Sequence, residues 1–160
     1  MESSPRPKSG EISSNIFMIL VTVVQLIFFT SYHEYIAWPI TAADGSVTRL
    51  SMLTDAYFTW LPIPVVASIL AILVHIIIIF YDNDRFRVPA EIILYISGIT
   101  VTLSLVSIFP FDFSVIPNAT VANVVPTVVT VFFILLAIFY GIVTVIWLIK
   151  LKKVYSQTKS

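Results

Sequence analysis

Four long apolar runs separated by short polar stretches set the pattern of this chain. The clearest, residues 61–80, reads LPIPVVASILAILVHIIIIF and holds one ionisable side chain, His75. At about 1.5 Å per residue, a helix of about twenty residues covers about 30 Å, the hydrocarbon thickness of a bilayer. Similar runs occupy residues 16–30, 92–109 and 124–149. The pattern predicts an all-α fold, a four-span transmembrane helical bundle with spans at about 15–31, 61–81, 89–109 and 124–150. Residues 15–151 then form the membrane domain. Residues 1–14 and 152–160 are polar and read as cytoplasmic tails, the first of them disordered.

The connections carry their own signals. Ser13, Ser14 and Asn15 suit the N-cap of span one. The aromatic residues Tyr32, Tyr35 and Trp38 follow that span directly, which argues against reading it as a cleaved signal peptide. In the first loop, Asp44-Gly45 separates two short β-prone stretches, the signature of a small hairpin. Residues 50–60 mix apolar and aromatic side chains and fit an interfacial helix, with Asp55 placed to cap the next helix. Pro62 and Pro64 fall in the first turns of span two. The connection 81–88 (YDNDRFRV) is polar, Pro89 suits the first turn of span three, and Glu91 then sits near that helix's positive end. Span four is longer than the hydrocarbon layer and must tilt or protrude.

Composition agrees with lipid as the solvent. The chain is 58% hydrophobic and 11% charged, against about 45–50% and about 25% in soluble domains. Mean hydropathy is +0.98. The nine Lys and Arg balance nine Asp and Glu, and no basic surface suited to nucleic acid arises. There is no cysteine, so disulfides, thiolate metal sites and thiol catalysis are excluded. Phosphate-loop, dinucleotide and zinc-protease patterns are absent, and no cofactor is expected. With the N-terminal tail cytoplasmic, eight of the nine basic residues lie inside and only Arg49 outside. That bias predicts a multi-pass protein with both termini in the cytoplasm. The outer loops then contain the sequon Asn118-Ala119-Thr120, a candidate glycosylation site at Asn118.

Candidate chemistry is sparse. Small and polar residues recur at helical spacing: Thr22 and Gln25; Pro64, Ser68, Ala71 and His75, with Ala67 beside them; Ser97, Thr100, Ser104 and Ser107; Thr127, Thr130, Ala137, Gly141 and Thr144. Such seams place helix against helix. The intramembrane polar candidates are Gln25, His75, Glu91, Ser97, Thr100 and Ser104. His75 stands out, because ionisable residues at membrane depth are functional candidates by default. Its expected partners are Tyr95, Ser97, Tyr140, Thr144 or Glu91. His33 and Glu34, beyond span one, are candidate metal ligands that need a third group from another loop. These features point first to a non-catalytic accessory or assembly subunit, with the bilayer and other membrane subunits or further copies of itself as partners. The alternative is a small oligomeric transporter or channel with a polar seam around His75. A membrane enzyme or metal site near His33 and Glu34 ranks third, because no acid, base and nucleophile are visibly grouped.

Overall fold

The computed structural model describes residues 9–41, 44–81 and 83–156. The chain is mostly helical, and four helices are long and apolar enough to cross a membrane. Helix α1 spans Ser9–Ser31, α3 Pro62–Phe80, α4 Asp84–Ile108 and α5 Ala119–Ser156. A short helix α2, Ala56–Trp60, leads into α3. The expected hairpin is present as strands β1, Ala37–Thr41, and β2, Val47–Ser51, preceded by a single 3-10 turn at His33–Tyr35.

Helix ends follow local capping rather than the edges of the apolar runs. Helix α1 starts at Ser9, so Ser13, Ser14 and Asn15 are inside it and do not cap it. Glu11 lies in the first turn, where the helix dipole favours an acid. The expected tail 1–14 is therefore helical from Ser9, and its first eight residues lie outside the described ones. Helix α4 starts five residues before the expected 89. The Asn83 side chain accepts from the Arg85 N–H at 2.9 Å and caps it. Pro89 consequently lies within the helix rather than in its first turn. Asn118 caps α5 in the same way, accepting from the N–H groups of Thr120 (3.0 Å) and Val121 (3.2 Å). Helix α5 thus begins at Ala119 rather than 124 and is 38 residues long, continuing past Lys150 to Ser156. That is about 57 Å, well beyond the hydrocarbon thickness. The expected tail 152–160 is helical as far as Ser156, and residues 157–160 lie outside the described ones.

The hairpin strands pair antiparallel from Ala37 with Ser51 to Thr41 with Val47. Gly45 takes φ +82°, which a side chain would resist. The Asp44 carboxylate accepts from both the Ser46 hydroxyl (2.6 Å) and its N–H (2.9 Å). These bonds, the hydroxyl first, hold its pKa below the usual carboxylate range. Beyond β2 the chain is knitted to the loop after α4. Thr54 N–H donates to the Pro110 carbonyl at 3.0 Å, and Asp112 N–H to the Met52 carbonyl at 2.8 Å. That loop begins at Phe109, whose φ of +42° is left-handed. The cost, about 1–3 kcal/mol, is offset where the rings of Phe109, Phe111 and Phe113 cluster at 5.7–6.2 Å.

Helix α2 is not the surface-lying helix expected for residues 50–60. It has only five residues, and Tyr57 and Trp60 are buried. Asp55 precedes it without capping it through its side chain. The Tyr57 hydroxyl donates to the Phe29 carbonyl at 2.7 Å. Trp60 Nε1 donates to Ser104 Oγ at 3.1 Å. Tyr57, Trp60 and Leu105 form a core against which Phe29 of α1 and Phe133 of α5 both pack.

The long helices pack as a row: α1 on α3, α3 on α4, and α4 most extensively on α5. Where α4 meets α5, Tyr140 lies over Gly98, and a Cβ there would stand 3.2 Å from the ring. Gly141 differs, because a Cβ there meets nothing within 4 Å. Small size at 141 therefore serves no close approach in this fold.

Two outcomes are expected for thermal unfolding in detergent. Gly98→Ala lowers the melting temperature, because the Tyr140 ring must give way. Gly141→Ala leaves it unchanged or raises it, by up to about 1 kcal/mol of helix propensity. The reverse order would contradict this packing. Tyr57→Phe strips the hydroxyl from the Phe29 carbonyl and costs about 0.6–1.7 kcal/mol, the range found for hydrogen bonds between membrane helices. The same melts measure it.

Candidate functional site

The residues forming the seams do not all meet in tight contact. Those of span two, Pro64, Ala67, Ser68, Ala71 and His75, line one side of a cavity of about 520 Å³. Thr22 and Gln25 of α1 also line it, and Gly98 and Tyr140 contribute from α4 and α5. Small side chains pointing at one axis from several helices leave space there. The position numbers give its length. From Trp60 to His75 is fifteen residues, about 22 Å of helix. Tyr57 and Trp60 wall the hairpin end. His75, Glu91 and Tyr95 lie at the other end, which α1 and α5 share with the α3–α4 turn. Most of the lining between is apolar.

His75 is buried, and none of its expected partners holds it. Its Nδ1 is 2.9 Å from Asn15 Oδ1 on α1. Asn15 Nδ2 donates to the Glu11 carbonyl at 2.9 Å, so Oδ1 is the atom left to accept. Glu11 in turn pairs its carboxylate with Arg87 Nη1 of α4 at 3.1 Å. One chain of contacts therefore crosses from α4 through α1 to α3. Lys150 caps the neighbouring face of α5 with its ammonium 4.4 Å from the Trp147 ring centroid.

The remaining candidates divide. Glu91, Gln25 and Ser97 line the cavity. Gln25 makes no hydrogen bond to another described residue, although an interhelical bond is the ordinary expectation for it. Ser97 donates to its own helix at the Ile93 carbonyl, 2.9 Å away. Thr100 is exposed and bonds Ile96 in the same manner. Ser104 sits beneath Trp60 and outside the cavity lining. Asn118 is exposed and its side-chain oxygen is engaged in capping α5.

His33 and Glu34 belong to a separate recess of about 650 Å³ at the hairpin end, shared with Arg49, Asp55 and Phe58. The His33 ring stacks on Tyr57 at 5.1 Å, and its buried Nδ1 has no hydrogen-bond partner among the described residues. Arg49 lies over the Tyr35 ring, 5.3 Å from its centroid. Among the described residues, no three His, Asp or Glu side chains converge to hold a metal ion. The pair His33 and Glu34 thus lacks the third ligand that the metal expectation requires.

Asn15 escaped sequence reasoning because it resembles a cap. Its signal was nonetheless there: Asn15, Met18, Thr22, Gln25 and Phe29 continue one face at steps of three and four. Thr102 was also missed; it is buried and lines the cavity. Comparison of the chain with protein-family models, with curated proteins and with solved structures finds no match.

Proposed function

We propose that the protein is a non-catalytic, multi-pass membrane protein that holds the hydrocarbon chain of a membrane amphiphile between its spans. The observation that carries this reading is the elongated cavity, mostly apolar along its length with ionisable groups gathered at one end. Ligand sites are typically apolar recesses of about 300–1,000 Å³ with a few placed polar groups. The buried aromatic pair at the hairpin end favours holding over conduction. A second reading is supported by α1. No residue of its membrane window is fully buried. That uncovered face suits packing against another membrane subunit, as an accessory or assembly component would.

We place both termini in the cytoplasm on the bias of basic residues toward that side. The helix end bearing Arg85, Arg87, Lys150, Lys152 and Lys153 then faces anionic lipid heads.

Two measurements test these proposals. In sealed membranes, a single cysteine at Ser46 reacts with an impermeant maleimide added outside, and one at Ser156 does not; the opposite pattern inverts the orientation. A photoactivatable alkyl chain cross-links peptides containing Ala71 and Gly98, and Ala71→Trp, by filling the cavity, cuts that labelling at least about tenfold while the protein stays folded. Labelling spread evenly over the lipid-facing sides of α1 and α5 would show that no chain is held inside.

A further inference from the structure

At the polar end of the cavity, His75 presents an open hydrogen-bond acceptor. Asn15 fixes this. Asn15 Nδ2 donates to the Glu11 carbonyl, and the Oδ1 turned to His75 can only accept, so His75 Nδ1–H donates to it. His75 is 7% exposed and its partner is an uncharged amide, surroundings in which a neutral ring is favoured. A neutral ring with its proton on Nδ1 presents a lone pair at Nε2. Among the described residues, neither Nε2 nor the Glu91 carboxyl has a hydrogen-bond partner. The hydroxyl protons nearby are already spent: Thr22 donates to the Met18 carbonyl at 2.8 Å, and Ser97 to that of Ile93 at 2.9 Å. Tyr95 adds a hydroxyl able to donate and accept.

The open acceptor at His75 Nε2 calls for a ligand that brings the proton. Resting on the chain-holding reading, we propose that this cavity selects an amphiphile with an uncharged hydroxyl head, a long-chain alcohol in chemical class, donating to His75 Nε2. A carboxylate head would face another carboxyl and an imidazole lone pair. An ether or ester head has no proton to give. An ammonium would carry its charge into a mostly apolar cavity. Selectivity has to come from the head. A chain moving from the bilayer into the cavity leaves one apolar medium for another, so it gains little by burial.

The test is competition against the cross-linking alkyl probe, using the full chain in lipid nanodiscs. The competitors are hexadecanol, its methyl ether, palmitate and hexadecylamine. Hexadecanol is expected to displace the probe at about tenfold lower concentration than the others, the worth of one good hydrogen bond. His75→Phe removes that advantage while the ether still competes, which shows that the cavity is intact. Asn15 is a positioning residue: Asn15→Leu frees the ring to carry its proton on Nε2, and the gap between alcohol and ether narrows. Equal displacement by all four would retain the chain site and overturn the head-group assignment. So would a preference for palmitate or the amine, or a gap unchanged in both variants. Failure of every competitor would overturn the chain-holding reading, and this inference with it.

Discussion

Two side-chain hydrogen bonds from one short helix hold the hairpin end of the molecule together. Helix α1 ends at Ser31, so the Phe29 carbonyl is among the four that no helical N–H can reach. In lipid such a group has no water to turn to. The Tyr57 hydroxyl supplies the missing donor, and Trp60 Nε1 does the equivalent job on Ser104. Each ring also fills volume, so the same two residues satisfy polar atoms and build the core. Phe29, Leu105 and Phe133 close around them from three different spans. The hairpin and the loop after α4, joined through Thr54 and Asp112, then lie over this aromatic cluster.

The cavity arises from where the bulk is placed. Aromatic side chains crowd the hairpin end, and polar contacts tie the opposite end. Between them α3 offers proline, alanine and serine toward the axis. A seam of small residues lets two helices approach when the partner offers a matching surface. Tyr140 lies over Gly98 in this way. Along the α3 face the small side chains instead line open space. The row-like packing keeps α1 and α5 at its two ends, so each lends a single wall to the cavity.

The spans were legible because lipid imposes length and apolarity at once, and the hairpin because Asp44-Gly45 fits its turn. The boundaries were less so. Hydropathy marks where lipid begins, whereas Asn83 and Asn118 mark where hydrogen bonding begins, several residues away. The span-three seam misled for a geometric reason. At about 100° per residue, Thr100 lies about 200° from both Gly98 and Thr102, on the far side from the cavity. Serine and threonine can satisfy themselves on their own helix, as Thr100 does on Ile96, so their presence does not reveal an inward face. The His75–Asn15 bond joins residues 60 positions apart, and nothing local in either sequence names the other.

That bond is the counterpart of the aromatic lock. Arg87 of α4 meets Glu11 of α1, and Asn15, one turn further along α1, meets His75 of α3. Three spans are thus joined at each end, and α5 is attached chiefly through α4. The two links at this end are unequal. The Arg87–Glu11 pair is 27% and 40% exposed, and such ion pairs contribute little. The amide–imidazole bond is shielded, and breaking it would strand polar atoms among apolar ones. An amide also brings no charge, which an aspartate at the same position would. Asn15 therefore does two things at once: it anchors α1 to α3, and it determines which nitrogen of His75 is turned toward the cavity.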